Sequence, residues 1–153
     1  MSVDVSEVQP SERGVVRRLL EFYAYDWSEL DGRDVDEHGE FGYCWLDHYW
    51  TDENRQAFLI RVEGKLAGFA LVRQERRTEM AEFFILRHYR RSGVGTASAV
   101  EVFRRFPGPW LVTQHLTNPA ATAFWRTAIP VPYAERTADD RVLQTFEIEP
   151  SNE

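Results

Sequence analysis

The sequence predicts an α/β (α+β) fold, and three observations predict it. Val16, Leu19, Leu20 and Tyr23 fall at i, i+3, i+4 and i+7, the apolar stripe of a helix that must pack on a sheet. Ala57–Val62 and Leu66–Arg73 read as two strands around Glu63-Gly64-Lys65, a tight hairpin turn. Met80–Leu86 is a third apolar, strand-like run, and it gives way through Arg90-Arg91-Ser92-Gly93-Val94-Gly95 to a helix-like stretch.

The remaining elements follow in order. Val3–Val8 reads as a first strand, stopped by Pro10, with Ser11 available to cap the helix that follows. Asp26–Glu40, with two glycines and many acids, reads as a long loop, and long loops in compact domains are often functional. Tyr43–Trp50 is a candidate second short helix. Val94–Phe106 reads as a helix ended by Pro107-Gly108-Pro109, Leu111–Thr113 as the core of a strand, and Ala120–Ala128 as another helix. Pro132–Ile148 offers two more strands separated near Asp139-Asp140, and no repeat or linker interrupts the series. The 153 residues are therefore expected to form one domain.

Composition narrows the function. With 43% hydrophobic and 14% aromatic residues the chain has the makings of a packed core. No apolar run approaches the roughly 18 residues that span a bilayer, and no charged-then-apolar leader opens the sequence, so a cytoplasmic protein without a membrane partner is expected. A net charge of −7 argues against nucleic acid, whose phosphates demand a basic face. Cys44, the single cysteine, cannot close an internal disulfide and is expected to be a buried packing thiol among Gly42-Tyr43 and Trp45-Leu46. His38, His48, His88 and His115 show no ligand spacing, and no metal is expected.

The turn at Arg90–Gly95 carries the chemistry. A strand feeding a glycine-containing turn that opens a helix gathers unpaired backbone N–H groups and the positive end of a helix dipole, which suits a phosphate. A nucleoside-triphosphate loop would need Gly-Lys-Ser/Thr, and no lysine follows these glycines. The dinucleotide fingerprint would need glycine or alanine where Ser98 stands, and an acid some 20 residues on. Both readings fail.

Arg90-x-x-Gly93-x-Gly95 after a strand, with Tyr89 just before it, resembles the acyl-CoA loop of the GNAT N-acetyltransferase superfamily. A strand at Trp110–Gln114 and then Asn118-x-x-Ala121-x-x-Phe124-Trp125 resemble that family's next strand and helix, in the right order. The resemblance extends over nearly the whole chain. It implies a mixed, mostly antiparallel sheet flanked by helices, in which the strands at Met80–Leu86 and Leu111–Thr113 run parallel and splay to admit the acyl arm. It further implies that acetyl-CoA is the co-substrate and that the N–H groups of Arg91, Ser92, Gly93, Val94, Gly95 and Thr96 cradle its pyrophosphate. A backbone N–H near Ile85 and Leu86 would face the thioester, Asn118, Phe124 and Trp125 would border the pantetheine arm, and Arg90, Arg91 or Arg126 would add charge.

Acyl transfer to an amine needs a base, a polarising donor and a route for the thiolate. Glu82, an acid in the apolar run before Phe83-Phe84-Ile85, is the candidate general base, the alternative being an acid at a solvated strand end. His88 and His115 are further base candidates. Many members of the resembled family carry a tyrosine where Trp125 stands, so the general acid is sought elsewhere, at Tyr49 or Tyr43, or the thiolate leaves unassisted. Between Glu21 and Glu53 eleven acidic residues meet one basic residue, Arg33, among nine aromatics. The resemblance puts the acceptor pocket at the first helices and their loop, so Tyr25, Asp26, Trp27 and Glu29 are expected to hold a small cationic amine by charge and cation–π attraction, the alternative being that the acids only form a solvated face. Two rival readings remain, a non-catalytic acyl-CoA sensor and a protein or peptide N-acetyltransferase, and monomer and homodimer are both left open.

Overall fold

The computed structural model describes residues 1–151. Along the chain run β1 (Val3–Glu7), α1 (Arg13–Asp31), α2 (His48–Thr51), β2 (Arg55–Val62), β3 (Lys65–Gln74), β4 (Thr78–Ile85), α3 (Val94–Arg105), β5 (Gly108–His115), α4 (Pro119–Ala128), β6 (Ala134–Ala138) and β7 (Arg141–Ile148). The seven strands form one sheet in the order β1-β2-β3-β4-β5-β7-β6. Every neighbouring pair is antiparallel except β4 and β5, which run parallel.

Helices cover both faces because both faces carry apolar side chains. On one face Val16, Leu19 and Leu20 of α1 and Tyr49 of α2 pack on Leu59, Phe69, Leu71 and Phe84. On the other, Val94, Val102 and Phe103 of α3 and Trp125 of α4 pack on Val72, Met80, Ile85 and Trp110. The alternation of β3 deals its residues to the two cores in turn. Each fully buried side chain of the size of Leu59 or Phe103 contributes about 1.5–3 kcal/mol by leaving water. The indole N–H of buried Trp110 finds an acceptor in Phe106 O at 2.8 Å.

Three features differ from the sequence expectation. The segment Asp26–Asp31 is helical, because the stripe continues through Ala24 and Trp27, and the helix stops only where Gly32 takes φ 70° and donates to Ser28 O. The loop therefore begins at Gly32. Ser11 caps nothing; it lies in a 3₁₀ turn, Pro10–Glu12, whose capping box joins the Gln9 N–H to Glu12 Oε1 at 3.0 Å. The second helix contracts from Tyr43–Trp50 to His48–Thr51.

Two strand irregularities shape the centre of the sheet. Val72 pairs with Met80 but Leu71 with Glu82, so Ala81 is an extra residue in β4. Strict alternation would put Glu82 on the same face as Met80, beneath α3 and α4; the bulge turns it to the α1 face instead. Strands β4 and β5 pair only at Thr78–Trp110 and Glu79–Leu111 and then part. Beyond Glu79 the edge of β4 that faces β5 has no strand partner.

Candidate active site

The parting of β4 and β5 opens two cavities of similar size, about 700 Å³ and 690 Å³. Tyr23, Trp27, Phe83, Asn118, Ala121 and Trp125 line both, so the two spaces meet across one wall. The smaller reaches the turn after β4. The larger lies under the loop after α1 and contains Glu82.

The turn is built for an anion. Among the described residues none of the backbone N–H groups from Arg91 to Thr96 makes a hydrogen bond, and the first helical bond of α3 is Ala97 N–H to Gly93 O. Four residues of this run, Arg91, Gly93, Gly95 and Thr96, line the smaller cavity at the N-terminus of α3. Positive φ at Arg91 (59°) and Gly93 (86°) bends the backbone so that it curls about that space. Gly93 is needed for its φ, since a Cβ there would meet nothing within 4 Å. At Gly95 the reason is proximity: a Cβ would lie 2.9 Å from the ring of Phe124. That ring also stacks on Phe83 at 5.8 Å, and Phe83 meets Trp125 at 5.2 Å. Asn118 caps α4, accepting from Ala121 N–H at 3.2 Å.

At the other end of the cleft the hydroxyl of Tyr23 donates to Glu82 Oε1 at 3.0 Å. Burial lifts Glu82 above the usual carboxylate range, against the opposing pull of the Tyr23 hydrogen bond. Burial and the same carboxylate lift the Tyr23 phenol well above its ordinary value. Burial also raises Tyr49. A carboxylate of raised proton affinity hydrogen-bonded to a phenol suits proton transfer.

The sequence model of the acetyltransferase (GNAT) family matches residues 16–128. The chain belongs to this family. No curated protein sequence matches it. Among solved structures, it is similar to an acetyltransferase from Thermus thermophilus, with 16% identity and a TM-score of 0.74 over 97% of this chain and 98% of that one. The PaiA N-acetyltransferase from Thermoplasma acidophilum, solved with coenzyme A, is 12% identical with a TM-score of 0.66, covering 96% and 99% of the two chains. The ribosomal-protein-S18-alanine N-acetyltransferase from Escherichia coli is 15% identical with a TM-score of 0.65, covering 99% and 97%. At these identities the likeness concerns the GNAT fold.

Within this GNAT domain the residues singled out from sequence scatter more than their spacing suggests. Arg91, Gly93, Gly95, Thr96, Ile85, Asn118, Phe124 and Trp125 line the smaller cavity. Val94 is buried beneath the turn, and Ser92 Oγ closes it by donating to Tyr89 O at 2.7 Å. The Leu86 N–H donates to Ala67 O at 2.8 Å, so it serves the β3–β4 ladder rather than the cleft. Arg90 turns inward, its Nε on Ile85 O at 2.7 Å and its fork on Asp26 at 2.5 Å, while Arg87 holds the second oxygen of Asp26 at 2.6 Å. Arg126 is tied to Glu135 at 2.7 Å. His88 is exposed, and His115 lines the larger cavity edge-on to Trp27 at 5.8 Å.

The acidic segment behaves differently from its sequence reading. Of its eleven acids only Asp31 lines the larger cavity, and Arg33 holds Asp31 at 2.5 Å. Glu21 fastens the loop by accepting from Phe41 and Gly42 N–H, and Glu40 pairs with Arg17. Asp26 and Glu29 lie on the smaller cavity, with Trp27 on both, while Tyr25 is 66% exposed and lines neither. Cys44 is exposed, contrary to the expected buried thiol, because it sits in the turn over the larger cavity and not on a packed face. Tyr49 and Tyr43 line that cavity too.

Sequence reasoning missed Tyr23, counted as a packing residue of the helix stripe. It missed as well four arginines, Arg33, Arg55, Arg73 and Arg141, that line the larger cavity. The one signal for Tyr23 was a side chain with a polar tip on a stripe that had to face the sheet.

Proposed function

We propose that this chain is an acyl-CoA-dependent N-acyltransferase that carries an acetyl group from acetyl-CoA to the amine of an acceptor by direct attack within a ternary complex. One observation carries the reading: a turn of unpartnered amides lines one cavity and the half-buried carboxylate of Glu82 lines the adjoining one, the two meeting at a shared wall where β4 and β5 part. The GNAT relative solved with coenzyme A supports the choice of donor.

The turn amides of Arg91–Thr96 receive the pyrophosphate, and the unpaired edge of β4 beyond Glu79 runs beside the arm. Acetyl-CoA supplies an activated thioester. The acceptor attacks as its neutral amine, its ammonium proton already given to solvent, and Glu82 takes the second proton that the nitrogen loses as the C–N bond forms and the C–S bond breaks. The Tyr23 phenol, bonded to Glu82, returns a proton to the departing sulfur and is reprotonated from Glu82, which closes the proton balance. Trp125 is buried among Phe83, Phe124 and Phe103 and has no acidic proton to offer, so we assign the acid role to Tyr23 ahead of Tyr49. A thiol pKa of about 8.5 keeps the demand on that acid modest.

The test is release of free CoA thiol from acetyl-CoA against a panel of amines, run beside an acetyl-CoA thermal shift. Turnover with at least one amine class supports catalysis. A thermal shift with no turnover across the panel would favour the sensor reading.

A further inference from the structure

Four side-chain polar atoms among the described residues are buried without a hydrogen-bond partner: Tyr49 Oη, Arg55 Nε, Arg73 Nε and Gln114 Oε1. All four residues line the larger cavity. Buried donors and acceptors are nearly always paired, so such a cluster around one space marks a place where water or a ligand completes their hydrogen bonds.

Arg55 is the most exposed to this argument. Its side chain retains only 13% of its surface, its guanidinium lies 5.4 Å from the ring centres of Trp45 and of Tyr49, and it makes no hydrogen bond among the described residues. The nearest carboxylate oxygen, Asp52 Oδ2, stands 3.8 Å from its Nε and accepts from the His48 ring instead. Arg55 is therefore compensated only by the two rings and a distant carboxylate, and its guanidinium keeps donors for an added anion. Arg73, its cross-strand neighbour in β3, gives its fork to Glu79, while its Nε makes no hydrogen bond and has Glu75 Oε1 at 4.0 Å.

The charge of the whole cavity agrees. Four arginines face three carboxylates there, Asp31, Glu79 and Glu82. Arg33 pairs with Asp31 and Arg73 with Glu79, and Arg55 has only the distant Asp52, at 3.8 Å, so among the arginines of this cavity Arg55 and Arg141 are the least neutralised. Among the described residues the side chain of Arg141 bonds only Thr113 Oγ1, at 3.4 Å.

We infer that the acceptor is an amine that also bears an oxyanion, a carboxylate or a phosphate, and that Arg55, aided by Arg73, holds this group while the amine reaches Glu82. The inference rests on the acyl-transfer reading above and reverses the cationic acceptor that the acidic segment suggested. The planar fork of arginine suits either oxyanion.

The experiment compares kcat/KM for an α-amino acid, its carboxamide, an aminoalkyl phosphate, an alkylamine and spermidine, by thiol release from acetyl-CoA. A charge-assisted pair predicts about a 10- to 100-fold preference for an oxyanion-bearing amine over its neutral counterpart. Whether acid or phosphate leads tells which oxyanion is meant. Arg55→Gln should remove the preference through KM and leave acetyl-CoA affinity unchanged, and Arg55→Lys should retain part of it. Equal use of acid and amide, or best use of spermidine, overturns the inference while acyl transfer stands. This comparison needs no variant, so a poorly folding Arg55→Gln does not blunt it. If no amine is turned over, succinate with saturating CoA is the second probe. A rise in Tm that Arg55→Gln abolishes supports the anion site independently of catalysis, and no rise in the native protein overturns it.

Discussion

The Tyr23 hydroxyl rests 3.0 Å from Glu82 Oε1, joining α1 to the bulged centre of β4 across 59 residues of sequence. Neither residue reaches the other unless Ala81 is extruded from the ladder, since the bulge alone brings Glu82 to the α1 face. The proposed proton-transfer pair depends on the sheet irregularity.

Glu82→Gln should lower kcat by about 10²–10⁴-fold, the usual worth of a general base, with little loss of acetyl-CoA affinity. The native rate should fall as pH drops through a pKa above the ordinary glutamate range, and the variant should lack that acidic limb. Near-native turnover by the variant would pass the base role to His115 or to water.

The same substitution should stabilise the fold. A carboxylate whose pKa is raised by folding contributes most below its unfolded value and loses that contribution as pH rises through the folded value. The Tm of Glu82→Gln should therefore exceed the native Tm at neutral pH, and the difference should close below about pH 4.3, the unfolded glutamate value. A lower Tm at neutral pH would contradict the assigned direction.

Asp26 should behave with the opposite sign. Burial pushes its pKa up, but Arg90 and Arg87 together outweigh burial and hold it below the ordinary value. Its stabilisation is present above the unfolded value of about 3.9 and fades as pH falls through the lower folded value. Asp26→Asn should lower Tm at neutral pH by an amount that shrinks in acid, and it should leave the acceptor KM nearly unchanged. A large rise in acceptor KM would return Asp26 to the acceptor site.

Tyr23→Phe separates acid from scaffold. The ring contacts with Phe69 and Phe84, at 5.5 Å each, survive the substitution, so the fold should persist while kcat falls. A donor with a fluorinated, better leaving thiol should restore the rate in part, because an acid is needed less. Equal slowing with both donors would mean that the hydroxyl only orients Glu82.

Gly93 and Gly95 should fail for different reasons. Gly93→Val strains a positive φ and should abolish the rise in Tm that acetyl-CoA gives the native protein, with a modest loss of basal stability. Gly95→Val drives a side chain into Phe124 and should lose both the shift and more basal stability. An unchanged acetyl-CoA shift in both variants would remove the anion cradle from the turn.

Local patterns in the sequence determined the elements and the turn. Period and punctuation gave the hairpin at Glu63–Lys65, the strand before Arg90–Gly95 and the glycines of the turn, because hydrogen bonding and φ restrictions there involve neighbours in the chain. Tertiary structure decided what those elements enclose. The extra residue at Ala81, the parting of β4 from β5, the pairing of Tyr23 with Glu82, and the gathering of Arg55, Arg73 and Arg141 each depend on packing between segments far apart in sequence. The acids of Glu21–Glu53 mark the limit most clearly: their composition is local, but whether a carboxylate faces a cavity, an arginine or a loop amide is a matter of direction, and direction is fixed only when the helix lies down on the sheet.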